Sequence, residues 1–118
     1  MLFTISLTNN KDFLRLYKKG FYVNSKDCVV YYQKTKLPFN RLGITTGKKI
    51  GNAVKRNRAR RVIRSAYAHS EILFPLGYDI VVVARPSACE VKSDKIENFF
   101  KTRVISEINK KAQASQKS

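Results

Sequence analysis

Apolar and polar positions along this chain follow two different periods. Phe13, Leu14, Leu16 and Tyr17 recur at helical spacing. With Thr8 as N-cap and Gly20 as stop, they predict a first helix over Asn9 to Lys19. Three strands follow: Phe21 to Val23, then the Val- and Tyr-rich Cys28 to Gln33, then Phe39 to Thr46, expected antiparallel to the strand before it. The segment from Gly47 to Gly51 breaks the pattern and opens a long helix ending near His69. The run Ile80-Val81-Val82-Val83-Ala84 predicts a strand over Tyr78 to Arg85 covered on both faces. Ser93 is placed to cap a last helix whose apolar positions are Ile96, Phe99, Phe100, Val104, Ile105 and Ile108.

This order, αβββαβα, is an α+β sandwich in which helices cover a small mixed sheet of about four strands. The helix between the third and fourth strands can supply a parallel crossover. One domain over residues 1–109 is expected, followed by a polar, disordered tail over 110–118.

Composition adds the chemistry. Hydrophobic residues make up 43% of the 118, enough for one modest core, while 24 Lys and Arg against 8 Asp and Glu leave +16. A compact body so charged repels itself and calls for a polyanion. No apolar run reaches membrane-span length, so no membrane association is expected. The opening Met1 to Leu7 lacks the basic flank and cleavage site of a signal peptide. Cys28 and Cys89 match no metal or redox spacing and are expected as free, buried thiols in a reducing cytoplasm.

The charge is concentrated. From Cys28 to Ser70 there is no Asp or Glu, and Lys48, Lys49, Lys55, Arg56, Arg58, Arg60, Arg61 and Arg64 crowd one segment. On a helical wheel Ala59, Val62, Ile63 and Ala66 form a core-facing stripe. Asn57, Arg60, Arg61 and Arg64 lie opposite, with Arg58 at their flank. Lys55 and Arg56 fall in the apolar sector, so the first turns must project past the sheet to keep them wet. A solvated surface helix usually interleaves both signs, but no carboxylate lies three or four residues from any of these arginines. Guanidinium groups favour phosphate, which they bind through two oxygens at once. Lys48 and Lys49 add charge where free helix N–H groups attract anions.

The seventeen positions Lys48-Lys49-Ile50-Gly51-Asn52-Ala53-Val54-Lys55-Arg56-Asn57-Arg58-Ala59-Arg60-Arg61-Val62-Ile63-Arg64 closely resemble the "RNR" segment of the bacterial ribonuclease P protein family. Asp12-Phe13 with Tyr17 and Gly20, Val29 to Tyr31, and Ala84-Arg85-x-x-Ala88 resemble its first helix, second strand and last strand end, so the resemblance covers about residues 8 to 108. Met1 to Leu7 departs from the family's usual basic start. The resemblance implies a fold like the second domain of ribosomal protein S5, with a left-handed βαβ crossover against the usual preference. It implies a subunit of an endoribonuclease in which a catalytic RNA and its Mg²⁺ remove the 5′ leader of precursor tRNA, while the protein holds no cofactor of its own. Lys48, Lys49, Asn52, Lys55, Arg56, Asn57, Arg58, Arg60, Arg61 and Arg64 would meet ribonuclease P RNA or tRNA, and Phe13, Tyr17 and Tyr31 would line a leader cleft. A cytoplasmic monomer, one per RNA subunit, is expected.

Aromatic rings beside a basic track also suit single-stranded RNA on physical grounds. Rings four apart on a helix are equally at home in a core, so Phe13 has both readings open, and Tyr17 and Tyr31 lean toward the ligand. The chain offers no catalytic residues of its own. His69 is the single histidine, which precludes a two-histidine ribonuclease, and Asp79, Glu90 and Asp94 are scattered. The chain alone is expected to be inactive. A ribosomal or other structural RNA-binding protein is the competing reading; a helix-turn-helix DNA reader fits poorly because strands flank the basic helix.

Overall fold

The structure, a computed structural model, describes residues 1–117. Five strands form one sheet: β1 (Thr4–Ser6), β2 (Phe21–Asn24), β3 (Cys28–Lys34), β4 (Asn40–Thr45) and β5 (Tyr78–Ala84), in the order β1-β4-β5-β3-β2. Helix α1 (Asn10–Lys19) crosses one face. Helices α2 (Ala53–Ser70), α3 (Ser93–Phe99) and α4 (Ile105–Lys117) cover the other, with a π-helical segment Phe100–Val104 joining the last two.

The apolar run of β5 takes the centre of the sheet, parallel to β4 and antiparallel to β3. Strands β4 and β5 are thus neighbours joined through α2, the expected parallel crossover. Strand β4 does run opposite to β3, but β5 lies between them, so the two never pair. The sheet has five strands rather than about four, because the opening residues pair in parallel with β4, Thr4 opposite Asn40. Three residues carry no strand signal by themselves; what holds them is a buried carboxylate. Glu71 accepts hydrogen bonds from the amides of Leu2 (2.8 Å) and Phe3 (2.9 Å) and from the Thr4 hydroxyl (2.6 Å). Burial alone would raise this carboxyl, but those bonds and the nearby chain-terminal ammonium hold it below its usual range.

Two helix starts differ from expectation. The α1 cap is Asn9, not Thr8: its Oδ1 accepts from the Lys11 amide at 3.0 Å. Ser93 lies inside α3, whose cap position is Lys92, with no side-chain capping bond. Helix α4 runs on to Lys117, so residues 110–117, expected as a disordered tail, are described as helix; Ser118 lies outside the described residues.

Strand alternation sorts the sheet into two faces. Val30, Tyr32, Leu42, Ile80 and Val82 join Ala59, Ile63, Ala66, Tyr67, Ile96, Phe100, Val104 and Ile108 in the main core. Cys28 and Cys89 are buried free thiols beside it, and burial pushes the Cys28 thiol up to about 12. The opposite face carries three cross-strand rows; α1 packs over the first two, and its Tyr17 reaches Thr45 of the third. The first row is ionic: Gln33, Asp79 and Arg41 stand side by side. The second is Tyr22, Tyr31, Val81 and Gly43, and the third is Asn24, Val29, Val83 and Thr45.

The ionic row anchors α1. Asp79 is fully buried and receives two hydrogen bonds of 2.7 Å from Arg41 and one of 2.6 Å from Arg15 of α1. Arg15 also bonds Gln33 and Asp12, and Asp12 lies 3.6 Å from Arg41. Burial alone would raise the Asp79 carboxyl; the two guanidinium groups outweigh it and keep it below the ordinary carboxylate range.

Candidate nucleic-acid interface

Helix α2 begins at Asn52, whose Oδ1 accepts the Lys55 amide at 3.0 Å. Before it, the Lys48–Ile50 turn buries Ile50 and leaves Lys48 and Lys49 exposed. Gly51 permits this junction: its φ is +135°, and a Cβ there would meet Lys55 Cδ at 2.8 Å. The first buried side chain of α2 is Ala59, and Val54 is 74% exposed. The opening turns therefore stand clear of the core and leave Lys55 exposed, as the wheel requires, while Arg56 is half-buried rather than fully in solvent.

Asn57, Arg60, Arg61 and Arg64 line one shallow groove of about 430 Å³. Arg60 is held by Asn57 Oδ1 (2.9 Å) and Thr46 Oγ1 (2.7 Å), which fixes its guanidinium at the end of β4. Arg58 is more structural than its neighbours, since its Nε donates to the Cys89 carbonyl at 2.6 Å. Among the described residues, none of the eight cations from Lys48 to Arg64 pairs with a carboxylate. The ion pairs lie elsewhere, in the Asp12–Arg15–Arg41–Asp79 cluster, Asp27 with Lys95, and Glu97 with Lys101.

The aromatic residues lie on the α1 face. Tyr17 is 40% exposed and meets Tyr31 edge-on, ring centroids 5.0 Å apart. Phe13 is half-buried; it packs with Leu7, Leu16 and Val81, yet also lines a depression of about 440 Å³ together with Gly43, Ile44, Arg60 and Arg64. That depression joins the arginine helix to the α1 face. A second, of about 530 Å³, brings Lys49 and Arg85 to Thr45 and Val83 at the third row. Lys55, Arg58 and Arg61 line neither. Sequence periodicity missed Val83 and Thr45, which line the second depression but read as ordinary strand positions; only the cross-strand register brings them together.

The structure thus sets an uncompensated guanidinium groove beside a depression that Phe13 borders, with the Tyr17–Tyr31 pair on the same sheet face as Phe13. Among the described residues no cluster of His, Cys, Asp or Glu gathers as for a metal ion, and no helix is long and apolar enough to cross a membrane.

Comparison with known proteins agrees. The model of the ribonuclease P family matches residues 3–108. The ribonuclease P protein component of Clostridioides difficile is 39% identical over 103 residues, covering 86% of this chain and 90% of that protein. That of Alkaliphilus metalliredigens is 36% identical over 92 residues, 78% and 83% of the two chains. The solved RNase P protein of Staphylococcus aureus superimposes with a TM-score of 0.73 at 37% identity, covering 89% of this chain and 94% of that one. The Thermotoga maritima protein gives 0.70 at 30%, with 79% and 88% covered. With its fold, its basic helix and nine-tenths of its length in agreement, the chain belongs to the ribonuclease P protein family, and is a subunit of that tRNA-processing endoribonuclease.

Proposed function

We propose that this subunit works by positioning rather than by chemistry of its own. Its partner is ribonuclease P RNA. The cations of the Lys48–Ile50 turn and α2 neutralise RNA phosphates near the cleavage site, while the groove beside α1 takes the single-stranded 5′ leader of precursor tRNA. Asn52 serves first as a helix cap and offers RNA its amide nitrogen and the remaining lone pair of Oδ1. Arg58 contributes positive charge from a side chain tethered to the Cys89 carbonyl. Arg60 and Arg64, bordering both the helix groove and the α1 depression, link the two bound segments.

The observation that carries this reading is the row of eight cations that, among the described residues, has no carboxylate partner, set beside the depression that Phe13 borders and on whose face the Tyr17–Tyr31 pair stands. Holding the leader fixes the scissile phosphate relative to the RNA's catalytic centre, which lowers the entropic part of the barrier. Mg²⁺ held by the RNA would supply the hydrolytic chemistry. The protein's cations assist indirectly, by reducing the repulsion between leader and RNA so that fewer free ions are needed. On this reading the subunit acts in the cytoplasm, one copy per RNA.

A cleavage assay at low Mg²⁺ tests this directly. Ribonuclease P RNA with the protein should cleave precursor tRNA under conditions where RNA alone is slow, and protein alone should not cleave. Equal rates with and without the protein would favour a structural RNA-binding role instead.

A further inference from the structure

We propose that Tyr22, on the outer strand β2, is a further base-stacking position, so that the leader track continues across the sheet from Tyr17 and Tyr31 to its edge. This rests on the reading of the α1-face groove as a leader site.

Tyr22 and Tyr31 are direct cross-strand partners, with ring centroids 5.9 Å apart and planes inclined by 42°. Tyr31 in turn meets Tyr17, so three tyrosines from β2, β3 and α1 form a continuous aromatic row. Cross-strand aromatic pairs support a sheet through the contact the two rings share, and that contact leaves most of the Tyr22 ring free for a further partner. Here Tyr31 is half-buried while Tyr22, at the β2 edge of the face that α1 crosses, is 64% exposed. Its neighbour Phe21 points the other way, toward α4, where the Lys111 ammonium lies 3.4 Å from its ring centre. The open ring of Tyr22 has no such cover.

Charge continues along the same edge. Asn24, two residues on and on the same face, gathers two guanidinium groups: Arg85 donates to its Oδ1, and Arg103 donates to its carbonyl at 3.1 Å. Neither arginine pairs with a carboxylate among the described residues. Arg85 also borders the depression holding Lys49, Thr45 and Val83, so cations stand on that depression from the Lys48–Ile50 turn to the Arg85–Asn24 contact at β2. An exposed ring beside phosphate-binding donors is the pairing that single-stranded RNA requires, a flat face for a base and charge for the backbone.

The test uses the reconstituted holoenzyme and precursor tRNAs whose leaders lengthen one nucleotide at a time, with leaderless tRNA as reference. Affinity should rise with leader length to a plateau. Tyr22→Ala should leave leaderless and short-leader affinities unchanged and weaken long-leader binding by about five- to tenfold, so that the plateau arrives earlier. Tyr22→Phe, which keeps the ring, should behave as the parent. Loss of affinity at every length, leaderless tRNA included, would mark Tyr22 as merely structural and overturn the proposal. Unchanged long-leader affinity in Tyr22→Ala would overturn it too. Tyr31→Ala separates the two levels: if it shortens the useful leader while Tyr22→Ala does nothing, the extension alone fails. If neither variant alters any leader dependence, the cleft reading fails with it.

Discussion

The Phe13 ring lies against Gly43, filling the space into which any larger residue at that position would project. A Cβ built on Gly43 would sit 2.5 Å from Phe13 Cζ, far inside contact distance. Gly43→Ala should therefore push the ring outward or lift α1, costing about 1–3 kcal/mol. Thermal or urea unfolding measures the loss. A displaced Phe13 should also alter binding in the adjoining depression, whereas an unchanged melting temperature would mean that α1 yields freely.

Asp79 should matter more to stability than any other carboxylate. Asp79→Asn removes the charge that Arg41 and Arg15 both address, and should destabilise by about 3 kcal/mol, the low end for a broken buried pair because both arginines retain some water. Its pH signature has a definite sign. The folded carboxyl is held below its unfolded value of about 3.9, so its contribution is complete above that pH and fades as pH falls through the folded value. Urea titrations between pH 6 and pH 2 should show a steeper acid loss in the parent than in Asp79→Asn.

Glu71→Ala should release the opening strand while leaving the main core in place. Three hydrogen bonds to one buried carboxylate are lost, a cost of about 2–3 kcal/mol. Hydrogen exchange should quicken at Leu7, whose amide bonds the Leu42 carbonyl, but not at Val81 or Val82 in the central strand. Uniform acceleration through the sheet would show that β1 is integral to the fold.

Combined replacement of Arg60, Arg61 and Arg64 by Ala should weaken RNA binding and flatten its salt dependence, by about 0.7–0.9 in log–log slope for each phosphate contact removed. Arg58→Ala should instead cost stability, because its guanidinium bonds the Cys89 carbonyl. Affinity measured over a range of salt concentrations distinguishes the two, and an unaltered slope in the triple variant would detach that face from RNA.

Local pattern carried much of this molecule. The unbroken apolar run became the central strand because a strand covered on both faces needs no alternation. The wheel of α2 separated buried Ala59 and Ile63 from the groove residues because a helix has only one stripe to bury. What escaped was non-local. Asp79, one of several scattered acids in the chain, is the hub of a four-residue ionic cluster drawn from three elements. Strand β1 depends on a carboxylate 67 residues away from Thr4. Tyr22 reads as a β-former like its neighbours until the register sets it beside Tyr31. Caps were misplaced by one residue where two polar candidates, Thr8 and Asn9, adjoin.

Because Ala59 is the first residue of α2 to reach the core, the helix has two unequal halves. Beyond that point its backbone is clamped by packing; before it, about a turn and a half is held by the Asn52 cap, by the single Arg58 bond to the Cys89 carbonyl and by whatever gathers around its like-charged side chains. Such a stub opens and closes at little cost in the free subunit and stiffens once a ribozyme surrounds it. Lys55 and Arg56 would then meet their target on an adaptable tip, while Arg60, Arg61 and Arg64 stand on the rigid shaft behind it, so that the tip can settle into an irregular RNA surface without disturbing the sheet below.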